Sequence, residues 1–262
     1  MAQMTFKPSN TISDPEQYPL MSFNAGFSPI SYARIAGALY LVVIAGGIFA
    51  ELVVRQSLFV AGDPAATALN ILSHEELYRW GFVAQLVPLL CNMFLIVILY
   101  SIFAVVNRRL ALAAAFCSLV GSAVEASSLL AHFAPLTLLK RGAALGLDPD
   151  LLRAQSYMAF QFQSVAFAIA LSFFGIVCLV RGYLIVRSSF FPRAIGALLA
   201  IEGICYLINS FGVFLAPRLA ARYFDGLLVF GLAEVVFCLW LLIRGLDAPR
   251  WTEQAGMWKE LA

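Results

Sequence analysis

The chain has 262 residues, 62% hydrophobic and 12% charged, with a formal net charge of +2 and a mean hydropathy of +0.88. Soluble domains carry about 25% charged and about 45–50% apolar residues, so no single water-facing fold buries this much apolar surface, and lipid is the expected solvent. So small a net charge gives no electrostatic footprint for a nucleic acid, and none is expected as a partner.

A membrane span needs about 20 mostly apolar residues. Six runs qualify: 35–54, 80–106, 110–139, 155–186, 194–216 and 226–243. They are too long for barrel strands and do not alternate, so helices must satisfy their backbone in lipid. The expected architecture is an all-α polytopic transmembrane bundle of six spans. Residues 1–33, polar and rich in Pro, Ser and Asn, read as a flexible cytoplasmic tail. The first run is too long for a signal-peptide core and reads as an uncleaved anchor. Residues 34–245 form the membrane domain and 246–262 a C-terminal cytoplasmic tail.

Two links are short. Asn107-Arg108-Arg109 joins the second and third runs, and Arg187 to Arg193 joins the fourth and fifth, so each pair is antiparallel. Pro192 suits the first turn of the fifth helix. On the other side, Asp63-Pro64 and Asp148-Pro149 are helix-start signals, the first opening an amphipathic helix through Leu69, Leu72 and Leu77. Lys7, Arg34, Arg108, Arg109, Arg181, Arg187, Arg193, Arg244, Arg250 and Lys259 put ten positive charges on the side of the termini. Arg55, Arg79, Lys140, Arg141, Arg153, Arg218 and Arg222 put seven on the other. The balance favours N-in/C-in, in a bacterial inner membrane. Trp80, Tyr183, Tyr223 and Trp251 fall near run ends, as interfacial aromatics do.

Ionisable groups inside spans cost roughly 2.5–3.5 kcal/mol on insertion scales, so each needs a reason. Ser118, Glu125 and His132 recur every seven residues, nearly two helical turns, with Ser122 beside them. Gln85 and Asn92 repeat the spacing, as do Glu202 and Asn209, while Gln155, Gln161 and Gln163 make the start of the fourth run polar. The pattern predicts one shared polar interior that opens outward, with carboxyl groups at its floor. Asn92, Glu125, His132, Gln163, Glu202 and Asn209 are the candidate ligand-binding residues. Glu125, Glu202 and Glu234 are the candidate catalytic carboxyls, although Glu234 has no polar partner on its own face.

A second account needs no ligand. Polar side chains between transmembrane helices make interhelical hydrogen bonds worth ~0.6 kcal/mol on average. Glu51 stands four residues before Arg55, the spacing of a local ion pair. Arg181 is close enough to its run's end to snorkel. Gly37, Gly46, Gly47, Gly196, Gly203 and Gly212 permit close helix approach. The five cysteines lie in apolar runs with no paired spacing, and His74 and His132 have no spaced partner, so no metal is expected. No P-loop, nucleophile elbow, zinc-protease or dinucleotide motif is present, and no cofactor is expected.

The stretches Ala33-Arg34-Ile35-Ala36-Gly37-Ala38-Leu39-Tyr40, Gly47-Ile48-Phe49-Ala50-Glu51 and Gly62-Asp63 with Ala66-Thr67-Ala68 resemble a bacterial membrane family known as domain of unknown function 4386. So do Phe173-Phe174-Gly175, Arg181-Gly182-Tyr183-Leu184 through Arg187-Ser188, Phe191-Pro192-Arg193 with Gly196, and Gly203 with Tyr206-Leu207-Ile208. The resemblance covers about residues 33–245 and implies a multi-pass membrane protein with no assigned activity. Gln163 stands where that family's pattern has a histidine, and Asn209 where it has an aspartate.

Three functions fit the residues. The first is binding of a small hydrophobic or amphipathic ligand in a polar cavity between helices. The second is intramembrane catalysis on an isoprenoid or lipid-like substrate, by a buried carboxyl acting as general acid, as in terpene cyclases. The third is a structural or regulatory membrane subunit. In each case membrane lipids are the expected surroundings.

Overall fold

The computed structural model describes residues 28–219 and 231–261, with side chains as far as residue 257. The start of the N-terminal tail with Lys7, residues Arg222 and Tyr223, the first part of the sixth apolar run, and the side chains of Trp258 and Lys259 lie outside the described residues.

Local chemistry starts each long helix. Helix α1 (Pro29–Ile48) opens with Ser28, whose Oγ accepts from the Ser31 amide at 3.2 Å, and with proline at its first position. It continues through a π-helical stretch, Phe49–Arg55, into a last turn, α2 (Gln56–Leu58). Helix α3 (Pro64–Ser73) is capped by Asp63, which accepts from the Ala66 amide at 2.9 Å. It stops short of Leu77 because His74 leaves the helical region (φ −122°, ψ 44°).

Helix α4 (Glu75–Thr137) is a hairpin. Asn107 alone is non-helical (φ −158°, ψ 106°), and its Oδ1 accepts from the Leu110 amide at 3.1 Å, so one residue ends the first arm and caps the second. Arg108 and Arg109 already belong to the returning arm. Asn92 Nδ2 donates to Ser122 Oγ at 2.8 Å, and the Tyr78 hydroxyl donates to the His132 carbonyl, which ties the arms together.

Helix α5 (Pro149–Arg187) is capped by Asp148, which accepts from the Leu151 amide at 3.2 Å, and so begins before Gln155. Helix α6 (Arg193–Leu215) takes Pro192 as its N-cap rather than within its first turn. The short α7 (Pro217–Leu219), α8 (Leu232–Ile243) and α9 (Ala248–Leu261) complete the order.

Among the described residues there is no strand. Four helical stretches are long and apolar enough to cross a membrane: Pro29–Leu58, Glu75–Gly142, Pro149–Arg187 and Arg193–Leu215. The second of these is the one folded at Asn107, and α8 is shorter. Large apolar side chains such as Phe94, Val97, Phe116, Leu130 and Phe162 lie exposed along them. That is the surface of a protein solvated by lipid.

Inside, two apolar clusters hold the ends of the bundle. One gathers Phe103, Leu184, Phe191, Phe237 and Leu241 at the end where α4 turns. The other gathers Val54, Ile71, Tyr78, Leu136 and Phe160 at the opposite end. Helix α5 packs against α4 on one side and α6 on the other, and α1 packs against α4 and α8. Trp251, expected as an interfacial aromatic on a tail, is instead buried in α9, and its indole N–H donates to the Ile102 carbonyl at 3.1 Å. Glu51 does pair with Arg55, at 3.6 Å.

Candidate functional site

The polar residues between the two apolar ends form two groups and a cavity. The first group lies toward the His74 end of α4. His132 stacks on Tyr78 with ring centroids 4.6 Å apart. Its Nδ1 meets the side-chain amide nitrogens of Gln85 at 3.2 Å and Gln163 at 3.3 Å, and its Nε2 faces the Tyr78 carbonyl at 3.4 Å. Gln163 Nε2 also donates to Gln85 Oε1 at 2.9 Å. With Nδ1 as acceptor and Nε2–H as donor, every polar atom of the ring has a partner, so this group is a satisfied junction of α4 and α5. Arg55 adds a hydrogen bond to Ser164 and lies over the rings of Phe59 and Phe160.

The second group joins α1, α6 and α8. Glu202 is fully buried and accepts from the Tyr206 hydroxyl at 3.0 Å through Oε1. The backbone amide of Glu234, in the first turn of α8, also faces the Glu202 carboxyl. A carboxyl there complements the unpaired N–H groups at a helix start. Its Oε2 has no hydrogen-bond partner among the described residues. Tyr206 reaches Glu234 Oε2 at 3.2 Å, and Tyr40 donates to Glu234 Oε1 at 2.5 Å. Each carboxylate oxygen of Glu234 therefore lies beside a phenol, and the single Tyr206 proton is shared between Glu234 and Glu202. The sequence showed no partner for Glu234 because its partners come from α1 and α6, far away in the chain.

Between the groups lies a cavity of ≈ 520 Å³. Its wall is mostly apolar, built from Val43, Ile44, Leu89, Phe167, Leu171 and Phe174, among others. Its polar lining is Tyr40, Gln85, Asn92, Ser118, Glu125, Cys178, Arg181, Tyr206 and Glu234. A mostly apolar pocket with a few convergent polar groups is the usual form of a small-molecule site, at about 300–1,000 Å³. Glu125 faces this space with no side-chain hydrogen bond among the described residues.

Of the six residues named for ligand binding, Asn92 and Glu125 line this cavity. His132 and Gln163 sit in the first polar group and Glu202 in the second. Asn209 is buried on α6, two turns past Glu202. Of the three candidate catalytic carboxyls, Glu125 and Glu234 reach the cavity, while Glu202 stands behind Glu234 and Tyr206.

Sequence reasoning missed Tyr40, Tyr206 and Arg181 as site residues. Tyr206 stands one turn past Glu202, a spacing that could have found it, whereas Tyr40 carries no spacing signal. Arg181, read as snorkelling, is only 7% exposed and lies in the cavity wall. The next residue, Gly182, packs on α6, so this stretch of α5 faces protein rather than lipid, which the chain alone does not show.

No curated protein and no solved structure matches the chain. Residues 35–245 match the profile of the family described as Domain of unknown function (DUF4386), and since that match spans most of the chain, the protein belongs to this family.

Proposed function

We propose that this is a six-span protein of a bacterial inner membrane, with both termini in the cytoplasm, that binds a small amphipathic molecule in the cavity between α1, α4, α5 and α8. The six-span reading rests on the hairpin at Asn107, which doubles one apolar stretch into two crossings, and on the sixth apolar run that ends in α8. Orientation rests on the excess of Lys and Arg at the Asn107 end. It predicts that in intact cells a membrane-impermeant thiol reagent labels Gly146→Cys and spares Ser189→Cys. The opposite pattern reverses the orientation, and labelling of both or neither removes this topology.

The observation that carries ligand binding is the cavity itself: ≈ 520 Å³, a mostly apolar wall, and a limited set of polar side chains in it. Filling it is the test. Leu171→Trp, which projects bulk into the cavity, is expected to lose a molecule that copurifies with the wild type, as read by mass spectrometry of the extracted protein. The variant should keep its monodisperse elution. No copurifying molecule in either protein counts against the reading.

A second reading has its own observation. Glu234 borders the cavity and is bound by two phenols, one of them shared with Glu202. That is a chain along which a proton can be supplied to an isoprenoid or lipid-like substrate. The same extraction separates the readings. A general acid leaves a chemically different molecule in Glu234→Gln than in the wild type, whereas a binding protein holds the same one.

A further inference from the structure

We propose that the cavity takes an anionic single-chain amphiphile, with an acidic oxyanion held by Arg181 and the chain lying along Phe167, Leu171 and Phe174. This rests on the ligand-binding reading above.

Arg181 is on α5, six residues before its end at Arg187, so about 9 Å inside it at 1.5 Å per residue. An arginine at that depth can reach the interface, but this one turns inward. It is 7% exposed, whereas Tyr183, two residues on, is 51% exposed. Arg181 lines the cavity with Tyr40 and Cys178.

Among the described residues the guanidinium makes no hydrogen bond and no ion pair. Glu234, the nearest carboxyl on the cavity wall, accepts from Tyr40 and lies beside the Tyr206 hydroxyl, and it forms no ion pair with Arg181. A guanidinium has five N–H donors in a planar fork, and these face a cavity whose wall is mostly apolar. The group that meets this demand is a planar or tetrahedral oxyanion, which arginine binds through two parallel hydrogen bonds.

The rest of the cavity defines the part of the ligand beyond the oxyanion. Its walls are apolar, and its volume lies within the range of sites for small ligands. Glu125 stands 17 residues past Arg108 on the second arm of α4, about 25 Å from the end that Arg181 is near. Glu125 leaves the far end with a carboxyl and no cation, whereas at the near end Arg181 stands opposite Glu234, so the one cation of the lining draws a negative headgroup to the Arg181 side. A carboxylate and a phosphate monoester share the required chemistry.

The test uses the full chain, purified in neutral detergent and titrated with laurate, dodecyl phosphate and dodecanol. The wild type is expected to bind at least one of the anions about tenfold or more tightly than dodecanol, the factor that one charge-assisted hydrogen bond supplies. Whichever of the two binds more tightly identifies a carboxylate or a phosphate source. Arg181→Gln should lose the preference, and Arg181→Lys should retain part of it. Equal binding of dodecanol and both anions overturns the oxyanion site and leaves the cavity reading standing. Binding of none of the three sinks the cavity reading itself. If Arg181→Gln fails to fold and adding Glu234→Gln restores it, Arg181 is an internal counter-ion, and the proposal falls.

Discussion

Replacing Gly203 with valine is expected to destabilise the detergent-solubilised protein by about 3 kcal/mol, the upper part of the range for overpacking a tight interior. Helices α5 and α6 touch at two points where glycine meets glycine. A Cβ on Gly203 would lie 2.6 Å from the Gly175 carbonyl oxygen, and one on Gly175 would lie 3.0 Å from that of Gly203. Two turns away, Cβ atoms on Gly182 and Gly196 would each lie 2.6 Å from the other's carbonyl oxygen. The obstacle is backbone in every case, so no rotamer change relieves it, and the helices must move apart. In lipid, where apolar surface gains nothing by leaving its solvent, close packing of this kind is a main source of helix association. Loss of the monodisperse elution peak, or a marked fall in the thermal midpoint, is the expected readout. Gly47→Ala is the control: nothing lies within 4 Å of its Cβ position, and alanine is the better helix former by about 1 kcal/mol. An unchanged midpoint for Gly203→Val would mean that the α5–α6 contact does not hold the bundle together.

That pair of helices also shows where reading the chain stops. Gly196 and Gly203 stood out in sequence as small residues that permit close helix approach, but Gly47, picked on the same grounds, meets nothing. Whether a small residue is a contact depends on what faces it, and an all-apolar helix has no polar stripe to reveal its inner side. The same gap explains Arg181, whose depth suggested snorkelling while its face decides that it turns inward. Features set within one turn were legible. The caps at Asp63 and Asp148 are bonds from a side chain to an amide three residues on, and the Glu51–Arg55 pair is one turn apart. The seven-residue spacing put Gln85 and Asn92 on one face of α4 and Glu125 and His132 on one face of its other arm. It could not say that His132 would meet Gln85 and Gln163 in one group while Glu202 met Glu234 in another. That division is set by which helices α5 and α8 lie against, and only the tertiary fold holds that information.

The division bears directly on the carboxyls. Glu202→Ala is expected to cost about 1–3 kcal/mol, the penalty for leaving a buried hydrogen-bonding group without its partner. The Tyr206 hydroxyl would lose one of its two acceptors, and the first turn of α8 would lose the carboxyl that faces it. Glu202→Gln keeps an acceptor oxygen for Tyr206 and should cost less than the alanine change. Glu125→Gln is expected to leave the thermal midpoint unchanged within about 0.5 kcal/mol, the ordinary range for a substitution that breaks no packing, cap or network. Its effect should appear in the molecule retained, because Glu125 lines the cavity and makes no side-chain hydrogen bond among the described residues. The informative outcome is the split between stability and ligand retention. If Glu202→Ala kept the wild-type midpoint yet emptied the cavity, Glu202 would belong to the ligand's surroundings rather than to the framework of α6 and α8. If Glu125→Gln unfolded the protein, the carboxyl at the far end of the cavity would be part of the scaffold. The space beside it would then need a different explanation from the one its wall suggests.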